Sequence, residues 1–311
     1  MKQVFKQKLL YFVKFIFTAV LIIWILNQVD REKFIDYFSQ LNLASIAIII
    51  FLGILSLIVQ FKRWQFLIES NSINYDYKDL IPSFFAGFAF RLMIPGGHAE
   101  ISKVFLLSGR KRGKVVAFGI EKFFLAYMKI ALIVAVIPLT FPKYTYLCIS
   151  LLVVMSVVYI LLPKIPFIAK LQEKEVNNHF VYAKTLFYSG IIFLISVYQY
   201  QILLERIHEI TFLQTAHVVV YLWAAGIIPF SISGLGFRES LAVYFLQFYG
   251  IPAAHAVAAS LFLFAVNSIF PALTGVYYIY DKRQYLKELK NSVQSTKEIF
   301  KSMRNAEKKS L

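Results

Sequence analysis

The sequence between Gly226 and Glu239 reads GIIPFSISGLGFRE. It interrupts a long apolar stretch with a proline, glycines, serines and an Arg–Glu pair. Such residues are unfavourable in a helix that faces lipid. They interrupt the helical hydrogen bonds, and each unsatisfied backbone group costs several kcal/mol in hydrocarbon. Irregular backbone is tolerated at membrane depth only inside protein or along a wet cavity, and charged residues there mark candidate functional sites.

A second run of the same kind, RLMIPGGHAE, extends from Arg91 to Glu100. It also places a proline, glycines and charged residues inside an apolar segment. Broken helices that meet near the middle of the bilayer form the binding sites of many transporters. We predict that the two runs face each other and together form the working site of a membrane transporter.

The composition is that of a membrane protein. Of the 311 residues, 59% are hydrophobic and 16% are charged, and the mean hydropathy is +0.65. Soluble domains carry about 25% charged residues, so we predict an all-α, polytopic protein of the cytoplasmic membrane. The net charge of +16 does not indicate a nucleic-acid partner. The basic residues lie in short loops and at both ends, as the positive-inside rule expects.

Apolar runs near the roughly 20 residues that a bilayer helix needs predict six full spans. Lysines before the first span and basic residues after the last place both termini in the cytoplasm. The second span is expected to end at an interfacial anchor of Lys62, Arg63 and Trp64. Residues 1–280 form one predicted transmembrane domain, and 281–311 a basic cytoplasmic tail. The predicted spans are 9–29, 43–61, 115–137, 145–162, 181–203 and 252–280.

Two further apolar segments, 81–107 and 215–249, are broken in the middle by the two irregular runs. The loop after the first segment, GRKRGK at 109–114, is the most basic in the chain and is expected in the cytoplasm. Both ends of that segment then lie on one side of the membrane. Each arm is about 16–21 Å long as a helix, too short to cross about 30 Å of hydrocarbon. We therefore predict two re-entrant hairpins.

The two halves of the chain are predicted to form an inverted repeat. Glu239 follows Glu100 by 139 residues, and the same offset relates Ala117 to Ala256. The order helix, helix, hairpin, helix then occurs twice with opposite orientation, in halves of about 9–137 and 145–280, as in many secondary transporters. Two unrelated kinked helices, or a plain arrangement of eight spans, are the alternatives.

The predicted site residues of the second run surround Arg238. Its guanidinium can hold a phosphate through two parallel hydrogen bonds. Because neighbouring residues on a helix point in different directions, we expect Arg238 to pair across the site rather than with Glu239. The alternative is a buried Arg–Glu pair that only holds the hairpin together. The predicted companions of Arg238 in substrate binding are Glu239, Ser231, Ser233, Gly234 and Gly236.

The first run supplies the opposite face of the predicted cavity. Glu121 lies two turns inside a predicted span and should face the bundle interior, with Arg91 or Arg238 as its expected partner. Lys103 and Lys122 are expected either in the cavity or snorkelling to the membrane surface. The glycines have a purely geometric role as their alternative. The predicted substrate-binding residues on this side are Arg91, Pro95, Gly96, Gly97, Glu100, Glu121 and Lys122.

No cofactor and no metal site are predicted. The single cysteine, Cys148, cannot form an intramolecular disulfide, and no Cys/His cluster has a metal-ligand spacing. The sequence has no P-loop and no dinucleotide fingerprint. Asn267, inside the last predicted span, is expected to make a hydrogen bond to another helix.

Three motifs carry a family resemblance: PGGHAEISKVFLL at 95–107, IEKFF at 120–124 and SISGLGFRES at 231–240. They resemble the transmembrane region of lysylphosphatidylglycerol synthase, the flippase-like domain family, over nearly the whole chain. The motif glycines, Arg238 and both glutamates match position by position, whereas the family often has Arg in place of Lys122. The residues after Tyr280 are too few for the soluble aminoacyl-transfer domain of the bifunctional enzyme, so transferase activity is not expected.

The expected function is that of a flippase, a lipid translocator rather than an enzyme, in the cytoplasmic membrane. Its expected partner is a phosphate-bearing lipid: an anionic or aminoacylated phospholipid, or a polyprenyl phosphate. One alternative is a membrane-embedded transferase with Glu239 or Glu100 as general base. Another is an accessory subunit of a separate synthase in lysylphosphatidylglycerol or lipid-linked glycan synthesis. The sequence leaves the oligomeric state open.

Overall fold

A computed structural model describes residues 31–93, 98–164, 172–205, 207–227 and 234–281. Every regular element in these residues is helical, which confirms the all-α prediction. The predicted first span and the basic tail beyond Asp281 lie outside the described residues. So do five of the predicted site residues: Pro95, Gly96, Gly97, Ser231 and Ser233.

Eleven α-helices follow one another in the described residues, with short 3₁₀ turns between several of them. A π-helix, Ala265–Ile269, joins the last two into one continuous rod. The α-helices are α1 (Arg31–Ser39), α2 (Leu43–Asn71), α3 (Tyr77–Met93), α4 (Ser102–Phe105), α5 (Arg112–Thr140), α6 (Thr145–Leu161), α7 (Asn178–Leu204), α8 (Phe212–Ala224), α9 (Phe237–Leu246), α10 (Ala253–Phe264) and α11 (Phe270–Asp281).

Five stretches of the described residues are helices long and apolar enough to cross a membrane. They coincide with the predicted second to sixth spans, and the chain is a multi-pass membrane protein. The total of six spans stays a prediction, because the first lies outside the described part of the chain. The five stretches are Leu43–Asn71, Arg112–Thr140, Pro142–Lys164, Asn178–Leu204 and Ala253–Asp281.

The surface of α6 shows why a membrane must surround the bundle. This helix packs mainly on α5 and leaves most of its apolar side chains uncovered. Tyr146, Leu147 and Val153, for example, are 87%, 57% and 58% exposed. Apolar surface in water is unfavourable by about 25 cal/mol per Å², so a helix of this composition is stable only where lipid covers it.

Helix α2 is longer than predicted. The second span was expected to end near Phe61 with Lys62, Arg63 and Trp64 as an interfacial anchor, but the helix continues to Asn71. Arg63 and Trp64 are buried in the bundle rather than placed at the membrane surface. The prediction was wrong because a charged side chain can stay inside a bundle when another helix supplies its counter-charge.

Apolar side chains pack into two main cores at opposite ends of α2 and α7. Ile49 and Val197 belong to one core, and Leu67 and Tyr182 to the other. Close helix contacts hold these cores together where side chains are small. Gly275 of α11 packs directly on the backbone of Phe85 in α3, where a larger side chain has no room. Such small-residue contacts are typical of helix packing in membranes.

The two broken segments contain helices shorter than a bilayer. α3 has 17 residues, α8 has 13 and α9 has 10, which correspond to lengths of about 25, 20 and 15 Å. None reaches the roughly 30 Å of hydrocarbon. Before α9 the chain turns through Gly234 and Gly236, whose φ angles of +85° and +81° favour glycine. The breaks place polar residues inside the bundle.

Candidate functional site

Charged side chains from five parts of the fold converge on one cavity. Arg63 comes from α2, Arg91 from α3, Glu100 from the 3₁₀ turn at His98–Ile101, and Lys103 from α4. Glu121 and Lys122 of α5 complete the group, which we call the first cluster. The cavity is small, about 40 Å³, which is far below the roughly 300–1,000 Å³ of pockets that enclose a whole small-molecule ligand. Its remaining lining residues are Gln60, Phe84, Phe88 and Leu125.

The first cluster is a continuous chain of ion pairs. Arg63 Nη2 lies 3.1 Å from Glu121 Oε1, and Lys103 Nζ lies 2.6 Å from Glu121 Oε2. The same ammonium is 3.4 Å from Glu100 Oε1, and Lys122 Nζ is 2.6 Å from Glu100 Oε2. Each carboxylate therefore contacts two cations, and Lys103 connects the two halves of the chain.

Local structure explains how a lysine reaches this position. Glu100 and Lys103 are three residues apart on a short helical turn, so both side chains lie on one face. Gly87 of α3 leaves space for the aliphatic stem of Lys103, since a Cβ at Gly87 would lie 3.0 Å from its Cδ. The Lys103 ammonium also lies 3.9 Å from the centre of the Trp64 ring, a favourable cation–π contact.

The burial of these charges is not explained by stability. The side chains of Arg63, Lys103 and Glu121 are only 4%, 2% and 5% exposed. Replacing a buried ion pair by well-packed apolar residues is often neutral or stabilising, because both charges lose their hydration. Charged residues inside a membrane bundle are instead typical of substrate and ion pathways.

Arg91 differs from the other cations of the first cluster. Among the described residues it makes no ion pair, and its contacts are a long hydrogen bond of 3.5 Å to Ser268 Oγ and the ring of Phe88. Its Nε is buried without a hydrogen-bond partner. With four basic and two acidic side chains around the cavity, two positive charges remain uncompensated.

The second cluster surrounds Arg238 at the start of α9. Arg238 Nη2 lies 2.7 Å from Glu239 Oε1, and Arg238 Nε donates to Ser260 Oγ of α10 at 3.0 Å. Ser260 Oγ in turn donates to the same Glu239 oxygen at 2.9 Å. The expectation that Arg238 pairs across the site rather than with Glu239 was wrong. The turn brings the two adjacent side chains together through their shared contact with Ser260.

Glu239 also caps the N-terminus of its own helix, α9. Its Oε2 accepts a hydrogen bond from the backbone N–H of Gly236 at 2.7 Å, and a carboxylate in the first turn is favoured by the helix dipole. The glutamate is 2% exposed and has a donor for each oxygen. The second cluster is therefore balanced in charge, with one arginine for one glutamate.

Several partners expected from the sequence differ from the ones observed. Glu121 pairs with Arg63 and Lys103, not with Arg91 or Arg238. Lys103 is buried in the cluster, so the snorkelling alternative is wrong for it. The interhelical hydrogen bond of Asn267 is confirmed: its Nδ2 donates to Gln199 of α7 at 2.8 Å.

Two residues of the clusters, Arg63 and Ser260, were not predicted as site residues. Arg63 was assigned to the membrane interface because it adjoins Lys62 and Trp64, although the apolar run continues after it. Ser260 lies in an alanine-rich helix and carries no signal of its own. Among the described residues no hydrogen bond or ion pair joins the first cluster to the second.

The spanning helices and the charged cavity together define a multi-pass membrane protein with an internal polar site. A sequence model of the lysylphosphatidylglycerol synthase transmembrane region matches residues 11–275. This match covers most of the 311 residues, so the chain belongs to that family. A comparison with curated individual proteins gave no match. The family connects the protein with membrane phospholipid, consistent with a lipid-related role.

Proposed function

We propose that this protein is a lipid translocator, a flippase that moves a phosphate-bearing headgroup through the polar cavity. The observation that carries the proposal is the uncompensated positive charge of the cavity among membrane-spanning helices. Such charge is unfavourable in hydrocarbon unless a counter-charge joins it. A headgroup phosphate supplies that counter-charge, while the acyl chains stay in the lipid.

The residues of the first cluster take different roles in this proposal. Arg91 and Lys122 contact the phosphate, because Arg91 has free donors and the Lys122 side chain is 33% exposed. Glu100 and Glu121 hold the lysines in place. Arg238 and Glu239 bound the far end of the same path, and the remaining proposed contacts are Pro95, Gly96, Gly97, Ser231, Ser233, Gly234 and Gly236.

The proposed architecture is an inverted repeat with two re-entrant hairpins, in one transmembrane domain of residues 1–280 with a tail at 281–311. The offset of 139 residues supports it. Applied to α5, this offset gives 251–279, close to the last span at Ala253–Asp281. Rocking of one half against the other would then expose the cavity to each side in turn.

The proposed location is the cytoplasmic membrane, with both termini and the basic loop at 109–114 in the cytoplasm. The proposed substrates are an anionic or aminoacylated phospholipid and a polyprenyl phosphate. A separate synthase that makes the lipid is a proposed partner. The support for these assignments is the charge of the loops and the family to which the chain belongs.

Leaflet-resolved lipid movement in proteoliposomes of the purified full chain tests the proposal. Lys122→Gln removes one cavity charge and leaves Glu100 with a single cation. We expect movement of fluorescent phospholipids to fall by about tenfold or more, the size of effect that one hydrogen bond to a charged group supplies. The matched control is Lys184→Gln, which changes a lysine of α7 that lies over the Phe66 ring, outside the cavity.

Equal movement by the wild type and Lys122→Gln would contradict the assignment of the cavity as the route. Movement that also falls in Lys184→Gln would show a general loss of folded protein. A chemically altered lipid in place of a translocated one would contradict the translocator and favour a membrane-embedded transferase.

A further inference from the structure

We infer that the cavity is matched to the doubly charged phosphate of a phosphate monoester and disfavours a cationic, aminoacylated headgroup. The inference names the substrate class of the proposed translocator and so rests on that function for its route. Its chemistry comes from the first cluster alone.

Neither carboxylate of the cavity is free to receive an ammonium group. Glu100 contacts Lys103 and Lys122, and Glu121 contacts Arg63 and Lys103. An aminoacyl headgroup would have to displace one of these lysines or enter unpaired. Within a low-dielectric site, an unpaired ammonium beside surplus positive charge is repelled far more strongly than in water.

The donors of the cavity, in contrast, are not saturated. Arg91 has no carboxylate partner among the described residues, and its buried Nε donates to nothing. Two positive charges are left over in the lining. A phosphate monoester carries about 1.5–2 negative charges at pH 7, whereas a phosphodiester such as that of phosphatidylglycerol carries one. The monoester therefore matches the surplus charge most closely.

Among the described residues that line the cavity, Glu100 and Glu121 are the only acidic ones. The segments 94–97 and 228–233, IPGG and IPFSIS, contain no ionisable side chain. One turn after Leu125, which lines the cavity, α5 presents another basic residue, Lys129. Its Nζ lies 5.6 Å from the Trp223 ring centre and close to Gly226 of the second broken segment.

Lys129 therefore extends the basic lining from the first cluster towards the second segment. It makes no ion pair within the described residues. The acidic residue of the second cluster, Glu239, is already occupied by Arg238. A headgroup that moves along α5 thus meets the surplus positive charge of the first cluster and then Lys129, an arrangement that suits an anion.

Equilibrium binding to the full-length protein in detergent tests the inference without any movement of lipid. The probes are short-chain phosphatidic acid, a polyprenyl monophosphate, phosphatidylglycerol, lysylphosphatidylglycerol and inorganic phosphate. We expect both lipid monoesters to bind at least about tenfold more tightly than lysylphosphatidylglycerol, with phosphatidylglycerol between them. Equal or tighter binding of lysylphosphatidylglycerol would overturn the inference.

The inorganic phosphate arm identifies the source of the phosphate. Displacement of phosphatidic acid only at a large excess of inorganic phosphate supports a lipid substrate. Displacement at equal concentration would support the monoester chemistry but assign it to free phosphate. Because all of these measurements use the wild-type protein, they remain decisive even if a variant does not fold.

Two variants of Arg91 sharpen the test. Arg91→Gln removes one surplus charge and keeps a side chain that can reach Ser268, so most of the preference for phosphatidic acid over phosphatidylglycerol should be lost. Arg91→Lys retains the charge and should keep most of the preference. An unchanged preference in Arg91→Gln would contradict the role of the surplus charge.

Failure of the inference and failure of the proposed function give different results. Selective binding of phosphate monoesters without any lipid movement in proteoliposomes would support the inference and contradict the translocator. Protein-dependent movement of lysylphosphatidylglycerol, with no preference for phosphatidic acid, would support the translocator and overturn the inference.

Discussion

The two buried charge clusters of this protein differ in the balance between their positive and negative charges. The second cluster pairs one arginine with one glutamate, and Ser260 and the Gly236 N–H occupy the remaining hydrogen-bonding positions of Glu239. The first cluster holds more cations than anions and opens on a cavity. A balanced, saturated pair needs nothing from outside the protein, whereas surplus charge inside a membrane requires a partner.

Because the clusters differ in this way, we expect different roles for Arg91 and Arg238, although their sequence surroundings are similar. Arg238 and Arg91 both lie in broken apolar segments, close in sequence to glycines. Arg238 has a carboxylate at 2.7 Å, whereas among the described residues Arg91 contacts a serine at 3.5 Å and a phenylalanine ring but no carboxylate. We therefore propose that the ligand binds at Arg91, and the part of Arg238 in substrate binding stays a prediction.

The largest effect is expected from Lys103→Met in the first cluster. Lys103 contacts both glutamates, so its loss leaves two buried carboxylates with one cation each. Breaking a buried ion pair in this way costs about 3–5 kcal/mol of unfolding free energy. Reversible unfolding in mixed micelles measures the change, with Lys184→Met as control. If Lys103→Met lowers the free energy of unfolding no more than Lys184→Met does, Lys103 contributes no more to stability than a lysine outside the cluster, contrary to this prediction.

In a double-mutant cycle of Arg238 and Glu239, the losses of unfolding free energy should not be additive. Arg238→Met alone leaves Glu239 buried with its charge unmatched, and we expect it to cost about 2–3 kcal/mol, somewhat less than for a fully buried pair. Glu239→Gln should cost a similar amount. The double variant should cost clearly less than the sum of the two, because the neutral pair leaves no charge unmatched. Additive losses would show that the pair does not act as a unit.

A smaller effect is expected from Gly236→Ala in the turn that positions the second cluster. Gly236 has φ +81°, and an L-residue is strained there by about 1–2 kcal/mol. The predicted loss of unfolding free energy is of that size. Gly250→Ala is a matched control of backbone strain away from the cluster, since its φ is +73° and a Cβ there meets no atom within 4 Å. A harmless Gly236→Ala would show that this turn can relax.

The smallest effect is expected outside both clusters. It is a pH-dependent change in stability caused by His208, in the loop before α8. His208 Nε2 lies 2.9 Å from His255 Nδ1, and burial together with His255 lowers the pKa of His208 below its ordinary value of 6.5. The folded protein therefore favours the neutral ring. The stabilisation is complete above pH 6.5 and decreases as the pH falls through that value, where the unfolded chain takes up the proton.

Unfolding measured between pH 5 and 8 checks this expectation for His208. His208→Gln should lose part of the decrease in stability at acid pH, because the variant has no imidazole at this position to take up a proton. An identical pH dependence in the wild type and the variant would assign the decrease to other groups. Since neither cluster contains a histidine, the result also gives a baseline for acid effects on them.

Much of the candidate site was predictable from residue types alone. Glu100, Glu121 and Lys122 were identified because ionisable residues in apolar segments are costly and seldom without function. Their partners were not predictable. Glu121 was expected to meet Arg91 or Arg238, but it meets Arg63 and Lys103, and the identity of a partner depends on how helices far apart in sequence pack.

Residue types and their order were enough to predict the apolar spans of the described residues, the two breaks and the residues that could carry charge into the bundle. The length of an apolar run and the free-energy cost of unsatisfied backbone groups depend on residues close together in sequence. Both can therefore be evaluated without the tertiary structure. Only the tertiary structure decided which charges are paired. The saturation of Glu239 and the isolation of Arg91 follow from distances of a few ångströms between helices, and electrostatic energy in a low-dielectric interior depends on those distances.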